Sequence, residues 1–315
     1  MAVAGLSAAA FGVSGTLATS LMRVGWTPGA AVAARLVVGA VALAVPGWRA
    51  WTRFRSGPAA LDRRHAATVA LYGLVAVAGA QLCYFQAIQH LSVAVALLLE
   101  YTGTVLVVGW MWGRHRQVPS RTSATGAGVA LAGLVLVLDL VGSHHLDPVG
   151  ILWGLGAAVG LAAYFVVSAD GDGALPPLVV AGGGVSIGAA AMVVATGAGL
   201  LPWRAPLRDV VLAHARVSWL VPVLGIGLVA AALAYVTGIA AARILGARLA
   251  SFVGLAEVLC AAVYAWVLLG ERLRPVQLVG GVVMLAGIAL VRVGETAPEP
   301  VPLPEVDEPV LEPAA

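Results

Sequence analysis

Two carboxylates stand in the middle of long apolar stretches of this chain, and their type and spacing point to chemistry. Glu100 sits in VAVALLLEYTGTVLVVGWMWG and Glu257 in LASFVGLAEVLCAAVYAWVLLG, and thirteen residues beyond each a glycine (Gly113, Gly270) ends the run. A carboxylate at the centre of a bilayer costs roughly 2.5–3.5 kcal/mol even on insertion-derived scales, so sequences rarely keep one without a use. Two chemistries suit a midplane pair of this kind: binding a cationic group, or taking up a proton. The alternative is a protonated or hydrogen-bonded glutamate that ties one helix to another. Recurrence in two matching settings favours a site shared between two halves of the chain.

Other residues can contribute to such a site. Arg35, in AAVAARLVVGAVALAV, is the one base placed inside an apolar span. It can neutralise Glu100 or hold a substrate carboxylate; eight residues from the start of its span, it can equally snorkel to the interface. Gln81, Phe85 and Gln89 recur at helical spacing, with Tyr84 next to that face. Those amides and aromatics either line a cavity or bond and pack between helices. Tyr164, Tyr235 and, on the Glu257 face, Tyr264 complete the candidate wall, although membrane aromatics also serve as packing and interfacial anchors.

The loops offer less. His144-His145-x-Asp147 lacks a defined coordination set and reads as a solvated loop, and Asp170-Gly-Asp172 reads as a turn. There is no P-loop, no G-x-S-x-G, no H-E-x-x-H and no dinucleotide fingerprint, so no cofactor and no direct ATP coupling is expected.

A set of membrane helices has to position these residues. The chain of 315 residues is 61% hydrophobic and 10% charged, with mean hydropathy +0.97, whereas a soluble domain is about a quarter charged. The expected fold class is all-α and polytopic. Ten spans can be counted, near 4–22, 28–46, 66–88, 92–112, 121–141, 148–168, 177–201, 217–241, 247–269 and 276–293. Five plus five gives a first repeat over 1–141 and a second over 148–293; an odd number of spans per repeat inverts the second copy. Each fifth span carries Leu-Ala-Gly-hydrophobic (Leu131–Leu134, Leu285–Ile288), and Gly156/Gly160 and Gly184/Gly188 are small-residue pairs that let helix backbones approach. Residues 294–315 read as a disordered acidic, proline-rich tail: its six acids account for the difference between +9 for the rest of the chain and +3 overall. The apolar start, with Arg23 after the run, reads as a first span and not a cleaved leader. Arginines at 49, 53, 55, 63, 64, 114, 116 and 121 place both termini in the cytoplasm, while the second half gives no clear orientation. Cys83 and Cys260, both in apolar runs, read as small buried residues.

Leu249–Arg292 resembles the second EamA-type repeat of the drug/metabolite transporter superfamily. The resemblance rests on the helix with its internal glutamate, then Leu268-Leu269-Gly270-Glu271-Arg272-Leu273, Pro275, and the closing Leu285-Ala286-Gly287. The first repeat is a degraded version, with Trp112-Gly113-Arg114 at the corresponding place, and Arg35 falls where the family often has an arginine. Where the family frequently has proline after the helix glutamate, Tyr101 and Val258 stand here. The resemblance implies an inner-membrane, multi-pass secondary carrier. Such a protein is often an exporter of amino acids, related metabolites or drugs, with a cavity between inverted halves. Its expected partners are a small-molecule substrate, the lipid bilayer and protons as a coupling ion, with no nucleic acid, and a monomer suffices. Two other classes compete: a non-transporting receptor or scaffold, and a membrane-embedded lipid-modifying enzyme. The enzyme would need an interfacial cluster of acids or histidines that the loops do not supply.

Overall fold

A computed structural model of the chain describes residues 1–55, 63–91, 93–116, 119–137, 147–169, 175–270 and 274–296. The tail beyond them, His144, His145, Asp170, Asp172 and Glu271–Leu273 lie outside the described residues.

The described chain is almost wholly helical. In the first half, α1 (Ala2–Arg23) and α2 (Pro28–Arg55) are followed by α3 (Arg63–Leu71), a π-helical stretch π1 (Tyr72–Gly79) and α4 (Ala80–His90), which together form one continuous rod. Next come α5 (Val93–Tyr101), α6 (Gly103–His115) and α7 (Arg121–Val137). The second half holds α8 (Pro148–Ala169), α9 (Pro177–Gly197), a hairpin of β1 (Val210–Leu212) and β2 (Ala215–Val217), and α10 (Leu220–Leu224). A second π-helical stretch π2 (Gly225–Leu233), α11 (Ala234–Gly254), α12 (Ala256–Leu269) and α13 (Pro275–Thr296) complete it. Among the described residues, eight helical segments are long and apolar enough to cross a membrane, and α7 and α12 are shorter apolar helices.

Several boundaries differ from those the sequence suggests. α2 runs through Pro46 to Arg55 instead of ending there; one proline removes a single backbone donor, which a long helix tolerates. The expected link at 242–246 is a break inside α11, where Gly246 adopts φ 77 and ψ 160. The expected fourth span is cut at Thr102. There the Thr102 hydroxyl donates to the Leu99 carbonyl (2.6 Å) and the Thr104 hydroxyl to that of Tyr101 (2.8 Å), competing with the helix ladder. The ninth is cut at Leu255. Both cuts fall beside the glutamates.

Packing repeats when the halves are exchanged. α1 lies against α11 and α12, and its counterpart α8 lies against α4, α5 and α6; α2 packs on α9, and α7 on α13. The Leu-Ala-Gly segments explain the last pair: a Cβ on Gly133 would strike the Met284 backbone, and one on Gly287 that of Ala130. Gly160 likewise admits Ala80, and Gly184 and Gly188 admit Tyr72 and Gly73. At one end of the bundle the 198–219 segment lies over the helix termini. Trp26 Nε1 donates to the Pro206 carbonyl (2.9 Å), and the Ala213 amide donates to the Leu268 carbonyl (2.7 Å).

Candidate functional site

Glu100 reaches the centre of the bundle from the end of α5 and Glu257 from the first turn of α12. Both line one cavity of about 310 Å³, with Arg35 from α2, Gln81 and Tyr84 from α4, and Phe11, Ser14, Thr16 and Thr19 along α1. The breaks at Thr102 and Leu255 let this happen. Each glutamate sits next to a chain interruption, where the backbone can turn away and leave its carboxylate facing open space.

Arg35 is fixed. Only 2% exposed, it donates from Nη1 to Ser14 Oγ and Gln81 Oε1 and from Nη2 to the Ala230 carbonyl, each at 2.7 Å. Its guanidinium also lies over the Phe11 ring, 5.9 Å from the centroid. These bonds hold α1, α2, α4 and π2 together, and the side chain stays in the core and does not snorkel. No direct ion pair joins it to either glutamate among the described residues, yet both carboxylates lie within its electrostatic reach. The cavity is therefore lined by two acids and one base whose two terminal nitrogens are already engaged.

The two glutamates are held differently. The buried Tyr101 hydroxyl, from the segment that carries Glu100, donates to the Gly254 carbonyl (3.4 Å) and approaches the Glu257 carboxylate one turn on. Glu100 makes no hydrogen bond with a described residue and faces the cavity. From the sequence, Tyr101 stands out only as the residue where the family frequently has proline. A tyrosine beside a membrane glutamate was the available signal.

The cavity runs from the carboxylates towards Thr19, Ala265, Leu269 and Gln277, near the helix ends capped by the 198–219 segment. In the other direction it ends in a small recess walled by Tyr101, Tyr164, Phe165 and Tyr235, and a cluster of rings closes the path. Phe11 meets Tyr164 and Tyr235 edge-on, at centroid distances of 5.9 and 5.1 Å. Tyr72 lies 6.1 Å from Tyr164 and 6.4 Å from Tyr235. Of the residues expected at the site, Glu100, Glu257, Arg35, Gln81 and Tyr84 meet in the cavity, and Tyr164 and Tyr235 meet in the recess behind it. Phe85 is buried against Tyr84, and Tyr264 lies off the lining of both. Gln89 is exposed, at the end of α4.

Residues 1–139 and 148–293 each match the EamA-like transporter family. The chain belongs to that family. Like the family as a whole, it is a multi-pass membrane protein, and the two matched segments carry one glutamate of the pair each. No curated protein matches the chain. Among the solved structures that match the chain is a crystal structure with a TM-score of 0.74 and 18% identity, over 92% of this chain and 95% of the other. The EamA-like signature at Gly270–Leu273 ends in residues outside the described set, but its glycine closes α12 in a left-handed conformation, φ 71.

Proposed function

We propose that this EamA-like chain is a secondary active transporter that works by alternating access. Ten spans form two inverted halves, 1–141 and 148–293, with 294–315 as a tail outside them. The observation that carries this reading is the convergence of Glu100 and Glu257, one from each matched segment, on one cavity closed on one side by aromatic rings. The exchange of packing partners between the halves supports it. Glu100 and Glu257 carry the cargo's charge or a coupling proton. Arg35 sets the local potential and the geometry of Gln81, and Tyr84, Tyr164 and Tyr235 provide wall. The cargo is a small metabolite such as an amino acid, or a drug, exported across the inner membrane with both termini in the cytoplasm. Rocking of the halves opens the aromatic side as the other closes.

The test is reconstitution into liposomes with a metabolite and drug panel, with and without a pH gradient. Glu100→Gln and Glu257→Gln should each lower flux of the accepted cargo by at least about tenfold, the scale of a lost interaction near 1.4 kcal/mol. Full flux in both variants would overturn the site assignment while leaving the family membership intact.

A further inference from the structure

A second cavity lies apart from the one that holds the carboxylates. A groove of about 490 Å³ runs along the outside of the bundle, between α2, α3 and α9. It shares no lining residue with the central cavity. Its α2 wall is Leu43, Ala44, Gly47, Trp48 and Trp51, and its α9 wall includes Val179, Gly182, Gly183 and Ile187. Gly47 and Gly182 face each other across the crossing of the two helices, so that a Cβ on Gly47 would lie 3.7 Å from the Gly182 Cα. Glycine on both walls keeps the slot open at backbone level.

The depth of the groove can be read from its side chains. Trp48, 67% exposed, and Trp51 stand at its upper end, and tryptophan marks the level where hydrocarbon gives way to headgroups. From Leu43 to Trp48 the wall rises about 7.5 Å, at 1.5 Å per residue, and this stretch lies on the hydrocarbon side of that level. On the headgroup side, beyond Trp51, α2 continues into Arg53 and Arg55, both exposed. Ala44, Trp48, Trp51 and Arg55 follow one helical stripe, at spacings of four, three and four residues. The groove's own wall therefore leads to one guanidinium, that of Arg55, whereas Arg49 and Arg53 lie on the other face of α2.

We propose that this groove is a binding site for an anionic phospholipid, with one acyl chain in the slot and its phosphate held by Arg55. An apolar slot at hydrocarbon depth selects a flexible chain, and a guanidinium one turn beyond Trp51 selects a negative headgroup. Neither feature alone would distinguish an anionic lipid from a zwitterionic one or from free phosphate; their placement on one stripe does. The site is independent of the transport reading.

The test uses the full chain in non-ionic detergent, titrated with phosphatidylglycerol or phosphatidylcholine carrying brominated acyl chains. The readout is quenching of tryptophan fluorescence. Phosphatidylglycerol should quench at lower concentration than phosphatidylcholine, and the difference should vanish in a Trp48→Phe/Trp51→Phe protein. Neutralising the headgroup contact (Arg55→Gln) should weaken phosphatidylglycerol binding by about fivefold and leave phosphatidylcholine unchanged. Ala44→Phe, which projects a ring into the slot from an exposed position, should remove quenching by both. Equal affinity for the two lipids, or undiminished quenching in Ala44→Phe, would overturn the proposal. Displacement of the lipid by inorganic phosphate at millimolar concentration would also overturn it, because the guanidinium would then be reading phosphate without the chain.

Discussion

Arg35 shows at the residue scale what a buried cation in a membrane core needs. Two of its nitrogens are matched to fixed acceptors on three other segments, and a planar fork is what allows one side chain to do this. A lysine keeps the charge but offers a single nitrogen. Arg35→Lys should therefore cost about 1.5–3 kcal/mol, one to two charge-assisted hydrogen bonds, and appear as a lowered unfolding temperature in detergent. An unchanged transition would mean that the network carries no stability. Buried hydroxyls in and beside the aromatic plug give the opposite sign. Tyr72 and Tyr164 are buried, as is Ser168, and all three hydroxyls lie without a hydrogen bond among the described residues, although Tyr72 approaches Ser168 and Tyr164 approaches Ser7. An unmade hydrogen bond on a buried polar atom costs about 1–3 kcal/mol, and replacing it with an apolar group of the same shape is neutral or stabilising. Tyr72→Phe with Ser168→Ala should leave the unfolding temperature equal or higher. If alternating access holds, these hydroxyls face the path when the plug opens, and the same variant should transport more slowly. A stability loss would show that the hydroxyls are bonded after all.

At the scale of elements, hydropathy and breaker residues made most spans legible, because each long apolar run must satisfy its own backbone as a helix. The glutamate pair was legible for the same reason: a charge stands out against hydrocarbon. What remained hidden was local. The π-helical stretches Tyr72–Gly79 and Gly225–Leu233 fall in corresponding helices of the two halves, and apolar periodicity does not separate i→i+5 from i→i+4 bonding. The hairpin was invisible because its turn is Ala213-His214, at φ 49 and 64, where Asn-Gly would have announced it. The crosswise reach of Tyr101 to Glu257 depends on the Thr102 break, which only the hydroxyl-to-carbonyl bonds reveal. Gly246 makes the cost of such a break measurable. Its φ 77 and ψ 160 belong to a region almost closed to other residues, yet a Cβ there would meet nothing within 4 Å. Gly246→Ala should thus lose about 1–3 kcal/mol through backbone strain alone. Gly5→Ala, equally uncrowded but inside α1, should gain a few tenths up to about 1 kcal/mol. Equal effects at both positions in thermal unfolding would exclude strain at Gly246.

For the whole molecule, the cavity's asymmetry makes a statement about sidedness. The mouth at Thr19, Ala265 and Leu269 lies at the same end as the 198–219 segment, which is tied to α12 by the Ala213–Leu268 bond. The opposite end is shut by Phe11, Tyr72, Tyr164 and Tyr235. A reagent arriving from the open side should reach the cavity wall, and one arriving from the plugged side should not. The chain has two cysteines, Cys83 and Cys260, both unbridged, so a Cys83→Ala/Cys260→Ala background leaves it free of thiols. In that background Ala265→Cys should react with a membrane-impermeant maleimide added to intact cells, the side assigned here to residues 198–219. Ala76→Cys, on the wall of the recess behind Glu100, should stay unreactive from either side until the plug opens. Labelling of Ala265→Cys only in inside-out vesicles would reverse the orientation and place both termini outside. Equal labelling of both positions from one side would mean that the rings do not seal, and a path without a seal cannot couple the two glutamates to directional transport.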